Sequence, residues 1–479
     1  MSTFSVLDAA RESPRGLAVV DRDRQLDFGE LGERVRQRMI GLAPLGEATR
    51  AVPAARLVAF RASETLATLE LILALLELGQ AFLPLHARLT PREAELLLER
   101  LPVAWLVEPG LDGAPRLVAR EGRGANEREQ RLFEQTPQLA ALATSGSSGE
   151  PNVVLSSRRA FFEAARASAA NLGWQPQDRW LLSLPLAHIG GLSVVTRCLL
   201  ARRPVLLPDP ARDAGLGERL AQTLLELQPS LLSLVPTQLS ALLALQPGFE
   251  LPRSVRAILT GGAAASPALL SACAERGWPV LTSYGSTEAC SQVATQRPGT
   301  TNRGELGVGH PLPGVEVRLR GGAIQLRGPT LFSGYLVGPL EPFDAEGWFT
   351  TGDLGRFDEQ GQLHVLGRSD HVIISGGENV TPGEVEAVLE ACPGVLEACV
   401  FAVPDPHWGQ LVAAALRVRD LDSETILAGA ERNAERLLAV FKRPRRYVLA
   451  TAFVYGPTGK LDRRGTAEAL RGQLRPAQK

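Results

Sequence analysis

Lysine is almost missing from this chain. Of 51 basic residues only Lys442, Lys460 and Lys479 are lysines, and the rest are arginine. Where arginine has replaced lysine wherever either would serve, a lysine that persists marks a position worth inspecting. Cysteine is also sparse. Cys198, Cys273, Cys290, Cys392 and Cys399 are odd in number, widely scattered and without a CxxC, which argues against a disulfide scaffold or a zinc site. Charge of one sign is not in excess. Fifty-one Lys and Arg stand against 52 Asp and Glu, a formal charge of −1. No broad basic face is implied for nucleic acid or a membrane surface, so any anionic ligand must be met by a local constellation. A long uncharged apolar run is lacking too. The most apolar stretch, from about Leu66 to Leu85, contains Glu70 and Glu77 and reads as a buried amphipathic helix followed by a strand. Asp8 and Glu12 occupy the place where a secretion signal needs apolar residues, so a cytoplasmic chain is expected.

What is present is ordinary globular composition, with 45% hydrophobic and 22% charged residues. Its 479 residues are too many for one core and predict two to four units. Residues 1–140 alternate strand-like and helix-like runs: LAVVD, LGERVRQRMIGL, RLVAF, then a Leu-rich helix from Thr65 to Leu78. Residues Pro109–Gln130, with many Gly, Arg and Glu, read as a surface connection. The middle third repeats the alternation through WLLSLPL, PVLLP, SLLSLVP, RAILTGG and PVLTSYG. From Gly307 short strands and turns predict a small β-unit, and after Asp370 the pattern becomes α+β. The expected fold is α/β: a large multi-layered N-terminal domain over 1–369, with two sheets, helices and a small β-barrel unit, and a small mobile α+β C-terminal domain over 370–479.

Four motifs carry chemistry. TSGSSGEP, Thr144–Pro151, has the small residues and hydroxyls that let backbone N–H groups approach phosphates, although no GK[ST] follows and a surface turn would look similar. TSYGSTEACS, Thr282–Ser291, joins a ring, a glycine turn, hydroxyls and a carboxylate; Tyr284 could face a base, Thr287 a phosphate and Glu288 a magnesium ion. TTGDLGRF supplies Asp353, followed by Arg368 in LGRSD. This carboxylate could hold ribose hydroxyls or simply close a hairpin. GPTGKLDRR places Lys460 in a Gly-flanked turn, where an ammonium could meet charge developing in a transition state.

In this order and spacing the four motifs resemble the adenylate-forming superfamily of acyl-CoA synthetases, peptide-synthetase adenylation domains and luciferases, over about residues 15–470. The resemblance implies a two-step reaction, in which a carboxylic acid and MgATP give an acyl-adenylate and a thiol then displaces AMP. It implies that Ser145, Gly146, Ser147, Ser148 and Gly149 hold the β- and γ-phosphates, with Thr144 near the reacting centre. Gly262, Ala263 and Ala264 would line the adenine beside Tyr284, Gly285 and Ser286. Thr287 and Glu288 would serve the α-phosphate and Mg²⁺, Asp353 and Arg368 the ribose. Asp370 would be the hinge, and Lys460 would stabilise the adenylation transition state.

DHVIISGGENVTPGEVE, PDPHWGQ and FKRPRR resemble the branch whose thiol is CoA. Gly376 and Gly377 would border the pantetheine tunnel, and Trp408, Phe441 and Arg443 would meet the CoA nucleotide. LLSLPLAHIGGLS, SLLSLVPTQLSALL and LTSYGSTEACSQVAT resemble the o-succinylbenzoate–CoA ligases of menaquinone biosynthesis. Such an acid carries two carboxylates, of which one is activated and the other needs a donor in an apolar pocket. Arg197 matches the donor's position, unless it is an ordinary helix-surface arginine. His188 would orient the reacting carboxylate or line the acyl tunnel, unless it is merely structural, and Ser291 and Thr295 could line the same pocket. Two positions depart from the pattern: Asn152 where a lysine is usual, and Ala187 where an aromatic is common. They leave open a ligase for a benzoate- or anthranilate-like acid, a carrier-loading adenylation enzyme, or a non-catalytic adenylate-binding homologue. The expected partners are a small carboxylic acid, ATP, Mg²⁺ and CoA, with neither nucleic acid nor membrane, and a homo-oligomer is left open.

Overall fold

The computed structural model describes the chain apart from residues 1–3, 23, 44, 46–56, 110–114, 145–150, 210–213, 246–248, 303, 305, 376, 406–407, 419–422, 457–460 and 478–479. Two large sheets dominate. A seven-stranded sheet has the order Gly334–Val337, Asn152–Ser157, Gln138–Thr144, Phe82–His86, Leu57–Ala62, Val103–Pro109 and Pro115–Ala119. A nine-stranded sheet runs His310–Pro311, Ser291–Thr295, Val280–Ser286, Ala257–Thr260, Leu231–Leu234, Trp180–Leu181, Val205–Leu207, Leu17–Asp21 and Arg24–Asp27. Strands are parallel in the middle of both sheets and antiparallel at their ends. That is the signature of layered α/β architecture, in which helices cover buried parallel strands.

One apolar core joins both sheets through the helices Leu66–Glu77, Arg158–Leu172 and Ile189–Ala201. The first of these is buried almost throughout, because leucine occupies nearly every turn of it. Its two carboxylates are not misplaced. Glu70 accepts from Arg34 Nε at 2.5 Å and Arg38 Nε at 2.9 Å, while Glu77 accepts from the backbone N of Val6 at 2.6 Å and the Ser5 hydroxyl at 3.0 Å. Each carboxylate, Glu70 buried and Glu77 half-buried, therefore ties a neighbouring segment to the central helix. Among the described residues no helix is long and apolar enough to cross a membrane.

The β-unit expected after Gly307 is a four-stranded antiparallel sheet, ordered Glu316–Arg320, Ala323–Arg327, Phe349–Phe357 and Leu363–Arg368. A fourth, six-stranded sheet contains every strand from Ile373 onward, flanked by the helices Pro382–Glu390, Ser423–Leu437 and Arg463–Leu470, and has its own core. The stretch Pro109–Gln130 is not only a connection. Pro115–Ala119 pairs antiparallel with Val103–Pro109, and a helix begins at Glu127 behind a capping box from Asn126. The five-residue strand PRLVA is too short, beside so many Gly, Arg and Glu residues, for its alternation to register.

Removing the Glu70 carboxylate leaves Arg38, whose side chain is only 19% exposed, beside an apolar cavity. Glu70→Ala is expected to destabilise the N-terminal layers by about 3 kcal/mol, read as a lowered thermal midpoint; a midpoint unchanged from wild type would show that this ion pair does not hold the helices together.

Candidate active site

Thr144, Tyr284, Glu288, Asp353 and Arg368, foreseen from sequence, come together where three sheets meet. TSYGSTEACS is itself a hairpin: Tyr284 pairs with Ala294, Gly285 with Gln292 and Ser286 with Ser291, and Thr287–Cys290 form the turn. Gly285 has no alternative there, because a Cβ would lie 1.7 Å from the Ser291 carbonyl oxygen. Parallel pairing of Thr260 with Thr282 sets Gly262, Ala263 and Ala264, all exposed, beside this hairpin.

From the hairpin Tyr284 reaches the four-stranded sheet, its hydroxyl donating to Asp353 Oδ2 at 2.7 Å. Burial, and then the charge of Asp353, push the Tyr284 phenol well above its ordinary range, so it stays a donor at neutral pH. Asp353 faces Arg368 across the strand pair, with the guanidinium 3.8 Å from its carboxylate. Arg368 lies over Gly352, where an added Cβ would sit 2.5 Å from the guanidinium carbon. It also donates twice to Asp370, at 3.1 and 3.2 Å. Those bonds raise the pKa of Arg368; at Asp370 burial works against the charge, but Arg368 outweighs it and holds the carboxyl below its usual range.

Glu288, in the hairpin turn, accepts a 2.9 Å hydrogen bond from Tyr335 of the seven-stranded sheet. Tyr335 pairs with Val154, and two residues back along that strand Asn152 pairs with Thr144, whose hydroxyl lies 3.5 Å from the Asn152 carbonyl oxygen. Thr144, Glu288, Tyr284, Asp353 and Arg368 thus border one junction. Among the described residues no cluster of three or more His, Cys, Asp or Glu could hold a metal by itself. A lone carboxylate such as Glu288 suits Mg²⁺, which keeps several waters and shares phosphate oxygens. Ser145, Gly146, Ser147, Ser148, Gly149, Gly376 and Lys460 lie outside the described residues.

The candidate acid site follows one helix. His188 is the N-cap of Ile189–Ala201, and Arg197 lies on the same helix with only 3% of its surface exposed. The surface-arginine reading is therefore wrong for Arg197. Its Nη2 donates to Ser291 Oγ at 3.1 Å and its guanidinium carbon stands 5.4 Å from the Trp180 ring centroid. Nε finds no partner among the described residues. Burial brings its pKa down to about 10, leaving it a cation at neutral pH. Ser291 holds its hydroxyl there at φ 98°, next to Cys290 at φ 50°, both in the left-handed region that non-glycine residues avoid. Thr295 is buried in the same hairpin, bonded to Ser283 and Gln292, and does not touch Arg197.

In the six-stranded sheet a cavity of about 490 Å³ is lined by Asp405, Trp408, Arg443, Arg445 and Tyr447, among others. Arg445 lies 4.4 Å over the Trp408 ring. Ser375 pairs with Gly409, so the turn carrying Gly377, at φ 87°, stands near Trp408. Phe441 is set apart from this lining; it packs half-buried on the sheet's core, with Lys442 over its ring. Sequence reasoning overlooked Tyr335, His86 and Glu64. Tyr335 lies in an ordinary strand, and neither His86 nor Glu64 stands in a recognisable motif.

The family described as AMP-binding enzyme matches residues 6–336, and its C-terminal domain matches residues 384–460. The 2-succinylbenzoate–CoA ligase of Listeria monocytogenes serotype 4b is 32% identical over 95% of this chain and 96% of its own; that of Enterococcus faecalis is 33% identical over 81% and 84%. Among solved structures, the o-succinylbenzoate CoA synthetase of Bacillus subtilis superposes in complex with the acyl-adenylate OSB-AMP (TM-score 0.78, 27% identity, 97% of each chain). Its complex with ATP and magnesium superposes with TM-score 0.79 at 28% identity, covering 97% of this chain and 99% of that one.

Because the Gly285 position has no room, Gly285→Ala should open the hairpin and cost about 1–3 kcal/mol, detected as a lowered thermal midpoint. An unaltered midpoint would mean that the Gly285–Ser291 contact is not close. The chain belongs to the AMP-binding enzyme family, alongside the acid–CoA ligases.

Proposed function

We propose that this acid–thiol ligase converts 2-succinylbenzoate to 2-succinylbenzoyl-CoA through an acyl-adenylate, the CoA-ligation step of menaquinone biosynthesis. The observation that carries this reading is Arg197: a buried cation, bonded once to a strained serine, with Nε unmatched among the described residues. Such a group is incomplete without an anion. A ring carboxylate bound there would offset the desolvation of Arg197, while the succinyl carboxylate lies toward His188 at the other end of the helix.

In the first step a succinyl carboxylate oxygen attacks the α-phosphorus of ATP, and the bond to the β-phosphate oxygen breaks, releasing pyrophosphate. Charge accumulates on the phosphoryl oxygens, so fixed donors and cations supply most of the stabilisation. Thr144 and Thr287 would donate hydroxyls to phosphate oxygens, Ser145–Gly149 would take the β- and γ-phosphates, and Lys460 would meet the developing charge. Glu288 would hold Mg²⁺, which when bound offsets phosphate charge. Asp353 would accept from the ribose hydroxyls, steadied by Tyr284 and Arg368, and Gly262–Ala264 would flank the adenine. In the second step the CoA thiolate attacks the acyl carbon and AMP leaves. Trp408 and Arg443 would meet the CoA nucleotide in the C-terminal cavity, with Gly376 and Gly377 at the pantetheine path. Asp370 would be the hinge, so that one site is used for both steps.

The test uses 2-succinylbenzoate beside 3-benzoylpropionate, the same acid without the ring carboxylate. Arg197→Ala should raise KM for 2-succinylbenzoate by about two orders of magnitude and leave KM for ATP unchanged, while 3-benzoylpropionate, a poor substrate of the wild type because it leaves Arg197 unpaired, is used no less well by the variant. Equal loss with both acids would show that Arg197 supports the fold and not the ring carboxylate.

A further inference from the structure

The loop that delivers His188 is pinned from both large sheets. On the nine-stranded side the Ser183 hydroxyl donates to the Ser233 carbonyl oxygen at 2.6 Å, and Gln238 Nε2 donates to the Ser183 carbonyl oxygen at 3.1 Å. Gly191 lets the first helical turn close against the loop, since a Cβ there would lie 2.3 Å from the Pro185 carbonyl oxygen. From the other sheet Glu64, just beyond the strand Leu57–Ala62, accepts from the backbone N of Leu186 at 3.2 Å. His86, the last residue of the neighbouring strand, lays its ring against that of His188, with centroids 5.1 Å apart and planes at 38°.

The Glu64 bond holds the loop backbone, and the His86 contact meets the His188 ring itself. His86 Nδ1 accepts from the backbone N of Arg88 at 3.1 Å, which puts the proton of the neutral imidazole on Nε2 and sets the ring plane. Burial, and then the charge of Arg88, lower the His86 pKa and keep it neutral. Glu64 is a half-buried carboxylate that accepts from the Leu186 amide and from its own backbone N–H, and burial raises its pKa despite those bonds. Both residues sit at the carboxyl ends of adjacent parallel strands, where ligands of open α/β sheets are met.

We infer that Glu64 and His86 are positioning residues for the acid site, fixing the height and ring plane of His188 so that it meets the reacting carboxylate. The inference rests on the placement of His188 at that carboxylate proposed above. Neither residue need touch the substrate; each acts through His188.

The experiment reads pyrophosphate release from MgATP with 2-succinylbenzoate in the full-length enzyme. His86→Ala and Glu64→Ala should each lower kcat by about tenfold, with KM for ATP unchanged. His86→Phe, which keeps a ring to stack, and Glu64→Gln, which keeps an oxygen for Leu186, should stay within about threefold of wild type. In a His188→Ala background, neither His86→Ala nor Glu64→Ala should cause a further loss, because residues acting through one group are not additive. Losses that multiply with that of His188→Ala, or equal losses in the alanine and conservative variants, would overturn the inference. If His188→Ala is impaired while His86→Ala and Glu64→Ala are not, the positioning role fails alone. A fully active His188→Ala would overturn it together with the placement of His188.

Discussion

A guanidinium with 3% exposure and, among the described residues, one neutral hydrogen-bond partner is an expensive object in a protein interior. Arg197 is kept charged there, with a pKa of about 10, between the Trp180 ring and a serine hydroxyl. Its surroundings are tightly constrained. Ser291 takes a backbone conformation that a serine resists, Gly285 yields all side-chain volume to the Ser291 carbonyl, and Ser193 comes within 3.4 Å of the same hydroxyl. Local strain of this kind is sustained when the surroundings over-determine it, and it gathers where a ligand completes the electrostatics.

The same hairpin carries the second half of the chemistry. Its inner strand sends Tyr284 to Asp353 and its turn sends Glu288 to Tyr335, so one supersecondary unit bridges three sheets. In the proposed reading the acid and nucleotide sites are therefore built on one hairpin, with Ser291 bonded to Arg197 and Glu288, in its turn, bonded to Tyr335. A reaction that joins a carboxylate to an α-phosphate needs that fixed relation, since proximity and orientation supply much of the acceleration.

The parts legible from sequence are those in which chemistry dictates residue type within a short stretch. Thr144, Tyr284, Glu288, Asp353 and Arg368 could be read because glycine-rich turns beside hydroxyls and carboxylates are rare combinations, and the structure brings them to one junction. The alternating α/β layers were legible from apolar periodicity. Burial was not. An arginine within a helix looks the same in sequence whether it faces water or Trp180, and Glu70 in a leucine helix discloses nothing of Arg34 and Arg38 more than thirty residues away. Long-range pairing also hid Tyr335, His86 and Glu64, whose partners lie far along the chain in a hairpin turn, at a helix N-cap and in a loop. The strand Pro115–Ala119 was masked by its Gly- and Arg-rich flanks.

The most direct measurement offers the protein MgATP, CoA and an equimolar mixture of 2-succinylbenzoate, benzoate and anthranilate, and weighs the thioesters formed. A buried Arg197 waiting for a second carboxylate predicts 2-succinylbenzoyl-CoA with no benzoyl- or anthraniloyl-CoA, because a site built around an unpaired cation rejects acids that leave it unpaired. Thioester from either monocarboxylic acid in preference to 2-succinylbenzoate would contradict it, as would pyrophosphate release with no thioester at all.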